Sequence, residues 1–346
     1  MGRKKMFDFC IGNPGYQSEN DSNGRQPPVY HLFMDAAEKV GQVVELITPA
    51  RFLFNAGQTP KDWNKKKLND PHFKVLKYIE NATSVFPNTD IKGGVAITLR
   101  DDQQNYGAIK TFTAYAELNT IVRKVGEKTN NGHYLDSIIS SRGTYRTTET
   151  FFKDFPSASK RLGKGTGNMI ASNFFEKIPE ANVQNDPSIG EKIKFLARVK
   201  NKRVICALDE KYVQKNNYID FYNVACPKSN GSGKFGETLT TTEILVPKEG
   251  ATDTFINMGR FKTKIEASNL QRYISTKFFR ALLGVKKVTQ DNPKSVWGMI
   301  PLQDFSANSD IDWSKSIHDI DLQLYKKYGL STDEIKFIES HVKEMA

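Results

Sequence analysis

Short apolar runs alternate with helical periodicity through residues 1–104 of the 346-residue chain. Phe7 to Ile11 is an apolar run that stops at Gly12-Asn13-Pro14-Gly15, with Tyr16 following at once, which predicts a buried strand ending in a tight turn. Val29, Leu32, Phe33, Ala36, Ala37 and Val40 then recur at helical spacing until Gly41 stops the pattern. A buried strand closed by Pro49 is predicted over 43–49, a helix over 59–68, and two more strands over 73–79 and 94–99. Strand, helix, strand, helix, strand is the order of a doubly wound α/β layer, whose parallel sheet and right-handed crossovers set the strand ends on one rim.

Past the polar stretch 101–105 the elements become irregular. Tyr115, Leu118, Ile121 and Val122 predict a helix, residues 135–139 open another, and 204–208 and 221–226 read as strands. Leu270, Tyr273, Ile274, Phe278, Leu282 and Leu283 predict one helix over 269–284. Two acidic helices follow over 317–345, joined at 329–334, where Ser331 with Glu334 forms a capping box. These changes divide the chain into 1–104, 105–300 and an acidic helical tail, 301–346.

Charge sharpens that division. Residues 1–104 carry 14 Lys/Arg against 12 Asp/Glu, 105–300 carry 31 against 18, and 301–346 carry 5 against 9, so a net charge of +11 is concentrated in the middle. A polyanion surface there is the expectation, with a solvated lysine face as the alternative. Three cysteines, Cys10, Cys206 and Cys226, lie far apart in apolar runs and read as buried thiols, and neither they nor the five histidines show metal-ligand spacing. No run of membrane-spanning length and no secretory leader pattern is present, and a cytoplasmic location is expected.

Candidate chemistry gathers at the first turn. The Asn13 amide oxygen and the Pro14 carbonyl can accept hydrogen bonds from an exocyclic amine while the Tyr16 ring stacks on the base that carries it. Asn-Pro-Gly is also ordinary turn punctuation. In the basic middle, Ser140-Ser-Arg-Gly-Thr-Tyr-Arg146 and Pro227-Lys-Ser-Asn-Gly-Ser-Gly-Lys234 combine cations, hydroxyls and an amide suited to DNA contacts. Arg142, Arg146, Lys228, Asn230, Lys234, Lys286 and Lys287 are the candidate DNA-binding side chains, and a hairpin turn at Asn230-Gly231 is the competing account of the second loop.

Phe7-Asp-Phe-Cys-Ile-Gly-Asn-Pro-Gly-Tyr16 resembles motif IV of the gamma-class adenine-specific DNA methyltransferases of restriction-modification systems, in which such a strand runs into Asn-Pro-Pro-Tyr. Gly15 replaces the second proline. Val85-Phe86-Pro87 before Gly93-Gly-Val-Ala-Ile97 resembles the family's motif VIII, whose aromatic packs on the flipped base. The loop at Lys228, and Tyr273 to Arg280 with Trp297 to Phe305, resemble parts of the recognition domains of such enzymes. The resemblance implies a partial Rossmann-like methyltransferase sheet followed by a mixed α+β target-recognition domain. It also implies Asn13, Pro14 and Tyr16 as catalytic groups, Tyr16 and Phe86 as base-stacking rings, S-adenosylmethionine as methyl donor and double-stranded DNA as substrate.

The family holds its cofactor in a Gly-rich loop placed before motif IV, where this chain has six residues. The run Leu162-Gly-Lys-Gly-Thr-Gly-Asn168 comes late and reads as a basic loop. Phe7–Ile11 is therefore expected to form an exposed apolar edge. Three readings stay open: a second polypeptide supplies the cofactor half, an upstream segment supplies it, or the chain is an inactive DNA-recognition subunit or decoy.

Overall fold

The computed structural model describes residues 5–18, 26–87, 89, 91, 93–129, 133–163, 165, 167–287 and 289–345. Most of the polar loop 17–28 after Tyr16 lies outside the described residues, as do Lys164 and Thr166 of the Gly-rich run. The chain divides into two compact units, Met1–Arg123 and Lys124–Ala346.

In the first unit the elements are β1 (Phe7–Gly12), α1 (Tyr30–Val40), β2 (Gly41–Pro49), α2 (Lys61–Leu68), β3 (Phe73–Ile79) and β4 (Val95–Asp101), and α3 (Ala116–Lys128) carries the boundary. The strands form one sheet in the order β1-β2-β4-β3. Only β1 and β2 are parallel; β4 runs antiparallel to both β2 and β3. The parallel sheet expected from the sequence is therefore a mixed one: among the described residues the β3 to β4 connection holds a single 3-10 turn, Ala82–Ser84, and no crossover helix to return the chain to the opposite end.

Strand alternation sorts the side chains. Cys10 and Gly12 stand opposite Val44 and Leu46 on the face covered by Tyr30 and Met34 of α1, with Phe52, Leu68 and Phe73 completing that core. Phe7, Phe9 and Ile11 point to the other face and are 53%, 69% and 75% exposed. As an edge strand β1 also keeps one side of its backbone unpaired.

The second unit contains α4 (Glu149–Asp154), α5 (Ala158–Leu162), α6 (Phe174–Lys177), β5 (Lys192–Val199), β6 (Lys202–Asp209), β7 (Tyr222–Pro227), β8 (Glu243–Leu245), β9 (Glu249–Ala251) and β10 (Phe255–Phe261). Helices α7 (Lys264–Ser275), α8 (Lys277–Lys286), α9 (Ile317–Tyr328) and α10 (Thr332–His341) follow. One sheet has the order β10-β7-β8, the other β6-β5-β9. Phe151, Phe174 and Phe175 pack on Ile193, Phe195 and Leu208 of the second sheet, while Leu196 meets Ala225, Leu245 and Phe255 from the first. Cys206 lies in the first of these clusters and Cys226 is fully buried on β7, where burial pushes its thiol up to about 12.

The single helix expected over 269–284 is two helices. Thr276 turns to extended backbone, ψ 150°, and its hydroxyl accepts from the Phe279 N–H while Asp321 of α9 accepts from the Lys277 and Phe278 N–H groups. Local capping, invisible to apolar periodicity, ends one helix and begins the next. The capping box at Ser331 and Glu334 is present. Among the described residues no helix is long and apolar enough to cross a membrane.

Candidate functional site

Strands β1, β2 and β3 run in one sense and β4 in the other. The turn after β1 and the β3 to β4 connection consequently open on the same rim of the first unit. Asn13 is exposed there, Pro14 is half-buried, and the Tyr16 carbonyl accepts from the Val29 N–H at 3.0 Å, tying the turn to the start of α1. A bridge between Gln17 and Pro28 continues that tie.

The rim brings Tyr16 and Phe86 together from distant sequence positions. Their ring centroids are 6.3 Å apart with the planes at 86°, an edge-to-face pair, so a base stacking on both requires one ring to turn. Burial raises the Tyr16 hydroxyl to about 12, and among the described residues it has no hydrogen-bond partner; the half-buried ring packs against the core of the first unit. Gly15 lies outside the left-handed region, and a Cβ placed there meets only a Phe33 ring carbon at 3.7 Å. The backbone does not require glycine at this position.

In the second unit four loops are stitched together by backbone hydrogen bonds. Ile170 donates to the Tyr145 carbonyl, Asp253 to the Ile170 carbonyl and Lys228 to the Thr254 carbonyl. Arg142, Arg146 and Lys228 are thereby gathered: Arg142 and Lys228 both face Asp253, at 3.4 and 3.0 Å, and Arg146 donates to the Asn168 side chain at 2.9 Å. Gly143 lies between the two arginines at φ +69°, where a Cβ would strike the Met169 sulfur at 2.9 Å. No sequence motif marks Asp253 or Asn168. Only their fold position reveals them.

Other candidates fall elsewhere. Lys234 and Lys286 are exposed. Asn230 is 5% exposed and its amide oxygen accepts from the Thr240 N–H and hydroxyl, holding the loop from inside. Lys287 is 4% exposed and donates to Glu237 and to the Thr289 carbonyl. Both therefore work as internal struts of the 228–240 loop and present no surface to a ligand. The basic run Lys200-Asn-Lys-Arg203 makes the two-residue turn of the β5–β6 hairpin, with Lys200 and Asn201 at φ 47° and 65°.

The glycines of residues 162–168 follow α5, not a strand, and among the described residues no cluster of metal-ligating side chains occurs.

Residues 1–86 match the family model of the Eco57I restriction-modification methylases. A search of the curated proteins returns no match. Among solved structures, the chain is similar to the one described as the type IIG restriction endonuclease BpuSI, at 12% identity and a TM-score of 0.34, over 96% of this chain and 52% of that one. The chain thus spans about half the length of that structure.

Proposed function

We propose that this chain is the adenine-presenting and DNA-recognising part of a restriction-modification DNA methyltransferase, with S-adenosylmethionine held by a separate or upstream polypeptide. The observation that carries the reading is the meeting of Tyr16 and Phe86 on the rim that also bears Asn13 and Pro14. The likeness of residues 1–86 to restriction-modification methylases supports it.

On this reading a flipped adenine enters the rim with its exocyclic amine donating to the Asn13 amide oxygen and the Pro14 carbonyl. Accepting both N–H groups concentrates electron density on the amine nitrogen, and the aromatic rings replace the stacking the base loses on leaving the duplex, roughly a few kcal/mol. S-adenosylmethionine supplies the methyl group. The unpaired edge of β1, with Phe7, Phe9 and Ile11 exposed, is where the cofactor-holding polypeptide docks, since an added strand satisfies the open backbone and covers the apolar face.

Gly15, in place of the second proline of the resembled motif, favours a second reading, an inactive DNA-recognition subunit. Calorimetry with S-adenosylmethionine separates the two: affinity that arises only with the partner polypeptide supports a split enzyme, and affinity in neither form supports the inactive subunit.

The base-holding role is tested on the chain alone with duplexes carrying 2-aminopurine in place of adenine opposite an abasic site. Binding is expected to raise the fluorescence of the probe severalfold, and Tyr16→Ala or Phe86→Ala to alter that response while duplex affinity is kept. Asn13→Ala is expected to abolish tritiated methyl incorporation by the completed enzyme. An unchanged response in both ring variants would defeat the proposal.

A further inference from the structure

We infer that Asp253 is a positioning residue that aims Arg142 at a guanine in duplex DNA, with Lys228 as the phosphate contact beside it. The inference rests on the reading of this chain as DNA-recognising. Asp253 is only 13% exposed at its side chain, and the same oxygen, Oδ2, faces Arg142 Nε at 3.4 Å and Lys228 Nζ at 3.0 Å. The ion pair reaches the guanidinium at Nε, on the stem side of its two terminal nitrogens. The Arg142 side chain is 70% exposed. A flat, exposed fork of two donors, paired at its base with Asp253, matches the O6 and N7 acceptors on the major-groove edge of guanine.

Rigidity comes from the backbone beneath. Asp253 donates its N–H to the Ile170 carbonyl and Lys228 its N–H to the Thr254 carbonyl, so the two backbones are tied together and the Lys228 ammonium donates to the Asp253 carboxylate at 3.0 Å. An ion pair to a side chain as exposed as Arg142 adds almost nothing to stability, so folding alone gives little reason for this arrangement. One carboxylate between two cations leaves the cluster net positive, and Arg146, exposed on the far side of Gly143, adds to it. Phosphate contact by Lys228 and Arg146 would set the register in which Arg142 meets a base edge.

The test is selection of bound duplexes from a randomised pool by the full chain, repeated with Asp253→Asn, Arg142→Lys and Lys228→Ala. Wild-type chain is expected to enrich a motif containing one guanine that Arg142→Lys no longer prefers, a loss of discrimination of about ten- to a hundredfold at that position alone. Asp253→Asn is expected to relax the same position. Lys228→Ala should weaken all sequences alike and lower the salt dependence by about one phosphate contact. Arg142→Lys, at an exposed site, keeps the test valid if Asp253→Asn misfolds. A motif retained intact by Arg142→Lys overturns this inference and spares the proposed function, whereas a wild-type chain that binds no duplex overturns both.

Discussion

Glu237, which no sequence motif marks, decides the fate of a residue expected to be functional. Burial alone would raise its carboxyl, but hydrogen bonds from Lys287, from the Ser232 and Gly233 N–H groups and from the Ser232 hydroxyl outweigh it and bring it from 4.5 to about 2. The unfolded chain then takes up this proton first, so the stabilisation is complete above about pH 4.5 and is lost as pH falls toward 2. Denaturant titrations at pH 7 and pH 3 are expected to show Glu237→Gln losing less stability on acidification than the parent chain. Glu237→Ala, which strands the Lys287 ammonium at 3% side-chain exposure, should cost about 3–5 kcal/mol at pH 7. Lys287 looks like part of a basic patch because it stands beside Lys286, and nothing in one dimension records that Glu237 lies 2.8 Å away.

Elements were legible where a side chain's neighbours lie within the same element. Strand β3 falls on the residues its apolar pattern marks, and the helix after Val29 begins and ends within a residue of expectation, because Gly41 stops it. Strand direction was not legible. Periodicity records which face a residue takes and says nothing of whether β4 runs up or down beside β2. The break at Thr276 was missed for a related reason, since three caps there come from one hydroxyl and one carboxylate on another helix. Thr276→Ala is expected to lower stability by about 1 kcal/mol through the lost cap, measured by urea unfolding. Thr276→Ser, which keeps the hydroxyl, should recover most of it. The rim site was legible in part: Asn13 and Tyr16 announce themselves as a motif, whereas the approach of Phe86 follows only from the antiparallel return of β4.

For the whole molecule the open edge of β1 sets behaviour in solution. Phe7, Phe9 and Ile11, exposed on an edge strand, are expected to form an association surface, strengthened by salts that favour apolar burial. Light scattering in rising ammonium sulfate is expected to report self-association of the chain alone, and Phe9→Lys with Ile11→Lys to suppress it while leaving thermal unfolding within a few degrees. Unchanged scattering in that variant would place the association elsewhere. The same edge carries a reporter of its own. Cys206 and Cys226 are sealed in the second unit, and the half-buried Cys10 is the thiol an alkylating reagent meets first. Its labelling rate is a clock on strand β1, slowing when another polypeptide closes over it, and needs no dye, tag or engineered residue to be read.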